Sequence, residues 1–337
     1  MRAGGGSGWP TPGSAPARKR SSLGRWFGSA PPAARTPEGD SATGGSADRT
    51  PRPRPKRGRR TDPPGEKPAG KGSDLKLRIL TGAVLAAVVI GVGSLGTAPL
   101  LGLLVVVVGV AQGEFYLAVR GAGYQPATAL GLVAGATLLV AAYERGMAAA
   151  PVVLILTLAL GVVWHAWGRD KGRALADLAV TLVGVAYVPL LASFAAAALP
   201  HHDGRGIVAA TIGAAAVYDI FAYAGGRLFG THPLAPRISP KKTREGAIVA
   251  TASVIVLSGA IAPQVGPWSI GAAVLLGALV AVAAPMGDLF ESVLKRDLGI
   301  KDMGSILPGH GGVLDRIDAI LFCVPVAYLS LRIFGKL

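Results

Sequence analysis

Cysteine and charged side chains are both scarce in this chain of 337 residues. The single cysteine, Cys323, excludes an intrachain disulfide and a metal site built from several cysteines. Only 16% of the residues are charged, whereas 51% are hydrophobic and the mean hydropathy is +0.48. This composition excludes an ordinary soluble domain and is typical of an integral membrane protein.

Acidic residues are also few, at 19 against 34 Lys and Arg. Much of the basic excess lies in residues 1–75, which hold 15 Lys and Arg and six Asp and Glu. A basic segment before a membrane span is typical of a topology determinant with some attraction to anionic lipid headgroups, so we expect no nucleic-acid partner. Residues 1–74 are rich in Gly, Pro, Ser, Ala and Arg, which predicts a disordered cytoplasmic tail.

From residue 75 onward the chain consists of long apolar runs separated by short polar loops. A membrane-spanning helix needs about 20 apolar residues. The runs predict nine spans, at residues 78–93, 98–119, 126–143, 147–166, 178–200 and 206–226, two between 245 and 288, and 316–334. The predicted fold is therefore an all-α polytopic membrane protein, with N-terminal transmembrane helices in 75–205 and a C-terminal catalytic region in 206–337.

Lys and Arg are distributed unevenly among the loops of this nine-span arrangement. Most of them fall near residue 120 and in loops 167–175, 227–245 and 287–315, which all lie on one side. Because cytoplasmic loops are enriched in basic residues, we predict that the N-terminus is cytoplasmic and the C-terminus is outside. The two long polar loops, 227–245 and 287–315, would then share the cytoplasmic face.

Residues 287–318 form a polar island, GDLFESVLKRDLGIKDMGSILPGHGGVLDRID, between two apolar helices. Asp288 ends one predicted span, while Asp315 and Asp318 lie about one turn apart at the start of the next. Carboxylates at neighbouring helix ends can share a divalent cation, and oxygen ligands suit Mg²⁺. The alternative is a solvated loop whose charges only keep it in water.

Other features of the sequence also indicate phosphate chemistry. The turn PGHGG at 308–312 lets backbone N–H groups approach an anion, and Lys295 and Arg296 can contact phosphate oxygens. The segment SPKKTREG at 239–246 could form another phosphate cradle, although a lysine pair in such a loop is usually a topology signal. Asp219 lies inside a predicted span, where an acid indicates a functional cavity or an ion pair needed only for packing.

These segments resemble one family. Residues 292–318 read Ser-x-Leu-Lys-Arg-x₄-Lys-Asp-x-Gly-x₂-Leu-Pro-x-His-Gly-Gly-Val-x-Asp-Arg-Ile-Asp, which is similar to the motif of phosphatidate cytidylyltransferases, also called CDP-diacylglycerol synthases. Segments 219–226, 234–246 and 287–292 resemble the same family. The resemblance is strongest over 206–334, and the tail 1–74 lies outside it.

The resemblance implies a nucleotidyltransferase of phospholipid biosynthesis that converts CTP and phosphatidate into CDP-diacylglycerol and pyrophosphate with Mg²⁺. It implies Asp288 and Asp315 as the metal ligands, with Asp318 a further candidate and one or two metal ions present. It also implies that Lys295, Arg296 and His310 contact phosphates. The implied substrate-binding residues are Asp219, Ser239, Lys241, Lys242, Thr243, Gly311, Gly312 and Arg316.

The same resemblance implies a setting for the enzyme. We expect a multi-pass protein of the inner (plasma) membrane with its active site on the cytoplasmic side, and the family pattern is compatible with a homodimer. Three other functions are alternatives: a CTP-dependent lipid kinase, a CDP-alcohol phosphatidyltransferase and a transporter, for which nine spans and an intramembrane Asp would be equally natural. The second uses a D-x₂-D-G-x₂-A-R motif that this sequence lacks. Transporters usually place polar groups near the membrane midplane, whereas the predicted clusters lie at cytoplasmic helix ends.

Overall fold

The computed structural model of the chain describes residues 71–167, 173–235, 239–306 and 311–335. Most of them are helical. The helices are α1 (Lys71–Leu95), α2 (Thr97–Gly121), α3 (Thr128–Arg145), α4 (Ala150–Trp167), α5 (Ala174–Val185), α6 (Leu191–Ala198), α7 (Gly204–Phe229), α8 (Arg244–Val265), α9 (Ile270–Asp297) and α10 (Leu314–Ile333). A 3₁₀ turn, Gly146–Ala149, joins α3 to α4, and a π turn, Ala186–Leu190, joins α5 to α6.

Long apolar helices confirm the all-α polytopic membrane class. Within the described ranges, six stretches are long and apolar enough to cross a membrane: Thr97–Gly121, Thr128–Trp167, Ala174–Ala198, Gly204–Phe229, Arg244–Val265 and Ile270–Asp297. Thr128–Trp167 holds both the third and the fourth predicted span. The apolar part of α1 is shorter, and α10 carries three charged residues near its start. The count of nine spans therefore stays a prediction.

The predicted boundaries of the chain's regions are only partly covered by the structure. Residues 1–70 of the predicted disordered tail lie outside the described residues, and residues 71–74 form the first turn of α1. The division at residue 205 stays a prediction, and helices from both sides of it pack together, since α10 contacts α2 and α6 as well as α7 and α9.

Helices α7, α8, α9 and α10 pack successively against one another. Small residues allow their backbones to approach closely. A Cβ atom at Gly277 would lie 2.7 Å from the backbone of Ile255 in α8, and one at Gly287 would overlap the carbonyl oxygen of Asp318 in α10. Glycine at position 287 therefore allows α9 to pack closely against α10 immediately before Asp288.

The π turn connects the N-terminal helices to this region. Pro189 lies within it, and proline disturbs a helix because it lacks an N–H group and its ring clashes with the preceding turn. Tyr187 packs from this turn against Phe290 of α9, with ring centroids 4.8 Å apart, and against Phe115 of α2 at 6.3 Å. The N-terminal helices thus contact α9 at Phe290, within the segment that carries the polar residues.

A short antiparallel hairpin interrupts the helical pattern between α7 and α8, and no strand was predicted there. Its strands are β1 (Pro233–Ala235) and β2 (Ser239–Thr243), with Pro233 opposite Thr243. The Thr243 side chain caps α8 by accepting the Gly246 N–H at 3.2 Å. Glu245 accepts hydrogen bonds from the backbone N–H groups of Thr231 and His232 at 3.2 Å. These bonds attach both ends of the hairpin to the start of α8.

Candidate active site

A cavity of about 750 Å³ lies between α7, the hairpin, α8 and α9. This volume is within the range of pockets that bind small organic ligands. The predicted site residues that line it come from α7, β2 and α9: Asp219, Ser239, Lys241, Lys242, Thr243 and Asp288. Residues separated by up to about 70 positions in the chain therefore line one cavity.

Lys242 and Asp288 form an ion pair at this cavity, with side chains 29% and 33% exposed. Burial lowers the pKa of the Lys242 ammonium below its ordinary value, although the nearby carboxylates of Asp219 and Asp318 act to raise that pKa. Desolvation disfavours the charged form, and opposite charges favour it. The hairpin therefore places a partly desolvated cation among carboxylates from three helices.

Lys295 lies at the centre of a second cluster, beside the cavity. Its Nζ atom donates to Glu291 Oε2 at 2.5 Å and to Asp315 Oδ1 at 2.8 Å. Asp315 Oδ2 also accepts the backbone N–H groups of Met303, at 3.0 Å, and Gly312, at 2.9 Å. Both oxygens of Asp315 are therefore engaged, and this carboxylate joins α9, the loop after it and α10.

The start of α10 faces the cavity residues. Asp318 is 7% exposed, and its Oδ1 atom accepts the Ala319 N–H at 2.8 Å. The charge of Asp318 acts on Lys242, and the charge of Arg316 acts on Asp219. Asp318 and Arg316 are thus close enough to influence the cavity electrostatically, although neither lines it in the part of the chain that the structure describes.

The remaining predicted residues differ in where they lie relative to the cavity. Arg296 is exposed and is not among the described residues that line the cavity. Gly311 has a φ of 81°, a backbone conformation that favours glycine, and a Cβ atom there would lie 3.3 Å from Asp315 Oδ2. Gly312 contributes its N–H group to Asp315 rather than to the cavity. His310 lies outside the described residues.

The carboxylates near the cavity are the candidate Mg²⁺ ligands. Among the residues that the structure describes, no group of three or more His, Cys, Asp or Glu side chains could hold a metal ion, so Asp288, Asp315 and Asp318 do not converge. The oxygens of Asp315 are already engaged, whereas Asp219 and Asp288 line the cavity beside the ammonium of Lys242. These two carboxylates fit Mg²⁺ in donor chemistry, and the Lys242 ammonium would compete with the ion for Asp288. A metal role for Asp315 and Asp318 stays a prediction.

Three residues at the site had no predicted functional role. Arg227 lines the cavity, and its guanidinium donates to the hydroxyl of Tyr223 at 3.3 Å, one turn earlier on α7. Glu291 precedes Lys295 by four residues, the spacing of a helical ion pair. Glu114 is an acid inside the apolar helix α2, the same signal that identified Asp219.

Comparisons with known proteins agree with this chemistry. The model of the "Cytidylyltransferase family" matches residues 76–334. A phosphatidate cytidylyltransferase of Mycobacterium bovis is 32% identical over 309 residues, which cover 87% of this chain and 98% of that protein. The chloroplastic phosphatidate cytidylyltransferase 4 of Arabidopsis thaliana is 37% identical over 212 residues, 54% of each chain. The Thermotoga maritima phosphatidate cytidylyltransferase is 35% identical over 173 residues, 49% of this chain and 63% of its own.

Proposed function

The chain belongs to the cytidylyltransferase family, and we propose that the cavity between α7 and α9 is where it joins CTP to phosphatidate. It is a nucleotidyltransferase of phospholipid biosynthesis, and it transfers a cytidylyl group from CTP to phosphatidate, giving CDP-diacylglycerol and pyrophosphate. The family and activity predicted from the motifs are confirmed. One observation carries the location of the site: cations of β2 and carboxylates of α7 and α9 line one cavity of about 750 Å³.

The reaction needs positive charge more than it needs a base. The phosphate of phosphatidate is already anionic near neutral pH. One of its oxygens attacks the α-phosphorus of CTP and forms a new P–O bond, while the bond from that phosphorus to the bridging oxygen breaks and pyrophosphate leaves with the electron pair. The barrier therefore lies in bringing two anions together. Lys241, Lys242 and Arg227 supply cations along the cavity wall, and Ser239 and Thr243 supply hydroxyl donors.

The carboxylates have a different role from these cations. We propose Asp219 and Asp288 as the residues that hold Mg²⁺, which when bound neutralises negative charge on the phosphate oxygens. Asp288 also pairs with Lys242, so it keeps that ammonium at the cavity wall. The predicted phosphate contacts of Lys295, Arg296 and His310 and a second metal ion remain proposals that follow from the family resemblance, and a homodimer also remains a proposal.

We further propose nine spans, with this site on the cytoplasmic side of the inner membrane. The position of the hairpin supports a site toward one face, because the hairpin joins the C-terminal end of α7 to the start of α8 and lies beside Asp288 in the C-terminal half of α9. At the opposite end, Arg205 donates to the carbonyl oxygen of Gly93 at 3.1 Å, which joins the α1–α2 and α6–α7 connections. A site at the end of the apolar helices would let the acyl chains of phosphatidate stay in the bilayer while its phosphate meets water-soluble CTP.

The activity is tested with purified protein in phosphatidate-containing nanodiscs. With Mg²⁺ present, we expect the label of [α-³²P]CTP to enter the lipid and one pyrophosphate to be released for each CDP-diacylglycerol formed. Chelation of the divalent ion should stop the reaction, and added Mg²⁺ should restore it. A lipid kinase would instead transfer the label of [γ-³²P]CTP, and a transporter would transfer neither label.

The pH profile tests the role of Lys242. Because burial lowers the pKa of Lys242, its ammonium loses its proton at a lower pH than an ordinary lysine does, and the cation is present only below that pKa. Activity should therefore decline on the alkaline side as Lys242 deprotonates. In Lys242→Arg the guanidinium stays charged, so this alkaline decline should move to higher pH. The measurement is kcat/KM for CTP between neutral and alkaline pH.

Lys241→Arg is the matched control for this profile, since Lys241 is the exposed neighbour on the same strand and lines the same cavity. We expect Lys241→Arg to keep the alkaline decline of the parent protein. An identical decline in all three proteins would assign it to another group and contradict the role of Lys242.

A further inference from the structure

Glu114 is a buried acid of α2 that reaches the start of α10. It is 2% exposed, and its Oε2 atom accepts the backbone N–H of Leu314 at 2.9 Å. The two residues are 200 positions apart in the chain. Leu314 is the first residue of α10, where N–H groups have no partner within the helix. A carboxylate from the N-terminal helices thus satisfies one of these donors and lies at the positive end of the α10 dipole.

The loop between α9 and α10 is shaped to fit this carboxylate. A Cβ atom added at Gly304 would overlap Glu114 Oε1, and one added at Gly312 would lie 2.6 Å from Oε2. Both glycines therefore let the loop backbone pack directly on the Glu114 side chain. Oε1 is buried and has no hydrogen-bond partner among the described residues, so the carboxylate is held by Leu314 and by close packing.

Asp315 holds the same part of the loop from its other side. It accepts the N–H groups of Met303 and Gly312, and it follows directly after Leu314. Glu114 and Asp315 therefore contact the same part of this loop, at residues 303, 304 and 312. Since Asp315 also binds Lys295, a shift of the start of α10 would move the carboxylate that orients this lysine.

We propose that Glu114 is a positioning residue for cytidylyl transfer: it fixes the start of α10, so that Asp315 holds Lys295 beside the cavity. This inference rests on the function proposed above. Glu114 does not line the cavity within the described residues and acts through Leu314 and Asp315. The N-terminal helices thereby contribute to the geometry of a site whose other residues all lie after position 205.

The test compares Glu114→Ala, Glu114→Gln and Gln112→Ala in nanodiscs. Gln112 is a matched control, because it is buried on the same helix but donates to the carbonyl oxygen of Gly131 at 2.9 Å, away from the loop. We expect Glu114→Ala to lower kcat by up to about 10²-fold, as small misplacements of reacting groups can, while KM for CTP changes little. Glu114→Gln keeps an oxygen acceptor for Leu314 and should recover part of kcat. Gln112→Ala should lower the melting temperature without lowering kcat per folded molecule.

A double variant tests whether the effect passes through the loop. Gly304→Ala should lower kcat in the parent because its Cβ meets Glu114, but it should add little in Glu114→Ala, where that space is free. Independent, multiplicative effects would overturn the proposal, as would a kcat of Glu114→Ala equal to that of Gln112→Ala. Failure of the proposed function gives a different result, since the parent protein itself would then form no CDP-diacylglycerol.

Discussion

Asp288→Asn is expected to lower kcat about 10²–10³-fold, the loss that follows removal of one preorganised charge-stabilising group. Asp288 lines the cavity and pairs with Lys242, so the asparagine would remove a carboxylate from the proposed Mg²⁺ site and free the lysine from its partner. The side chains have nearly the same shape, so packing of α9 should be preserved. The rate is measured as CDP-diacylglycerol formed at saturating CTP over a range of Mg²⁺ concentrations.

Asp297→Asn is the control for this substitution. Asp297 lies at the exposed end of α9 and is not among the described residues that line the cavity, so the variant should keep the kcat of the parent. An Asp288→Asn protein as active as Asp297→Asn at every Mg²⁺ concentration would remove Asp288 from the reaction and shift the site away from this cavity.

Lys295→Met is expected to impair both folding stability and activity. The Lys295 side chain is 16% exposed and pairs with Glu291 and Asp315, which are 1% and 5% exposed. Removing the cation would leave two buried carboxylates next to each other, and breaking a buried ion pair in this way costs about 3–5 kcal/mol. We expect a lower midpoint in detergent-induced unfolding and loss of transferase activity. Lys301→Met, at an exposed lysine of the following loop, should change neither property.

A second variant separates the two effects of Lys295. In Glu291→Gln combined with Lys295→Met, Asp315 would be the one charged side chain left of these three, so part of the lost unfolding free energy should return. Activity should stay low because the cation is still absent. Recovery of activity together with stability would mean that Lys295 acts only in folding.

Local hydropathy made much of the helical architecture predictable. The predicted span at 98–119 corresponds to α2, at Thr97–Gly121, and the one at 206–226 corresponds to α7, at Gly204–Phe229. A run of apolar side chains determines where a helix can lie in a bilayer, whatever packs against it. The hairpin was missed because β1 and β2 are only three and five residues long, and the hairpin is held by hydrogen bonds to the start of α8.

Part of the lining of the cavity was predictable from the sequence, but the pairings of its residues were not. Asp219, Lys242 and Asp288 were all predicted site residues, and the structure places them on one cavity. Their partners could not be predicted, because an ammonium on a hairpin can reach several carboxylates and the choice depends on how the helices cross. Glu114 carried the signal of an acid inside an apolar helix, but its contact with Leu314 was not predictable, because the two residues are 200 positions apart in the chain.

The sequence by itself determined that this chain is a helical membrane protein of the cytidylyltransferase family, because apolar runs and a continuous motif are properties of neighbouring residues. Only the tertiary structure decided that Lys242 pairs with Asp288, that Asp315 binds Lys295 and the loop, and that Glu114 reaches α10. These contacts join side chains that lie within a few ångströms of one another but come from segments far apart in the sequence. They depend on close backbone approaches such as that of Gly287 to Asp318, which set the positions of the helices relative to one another.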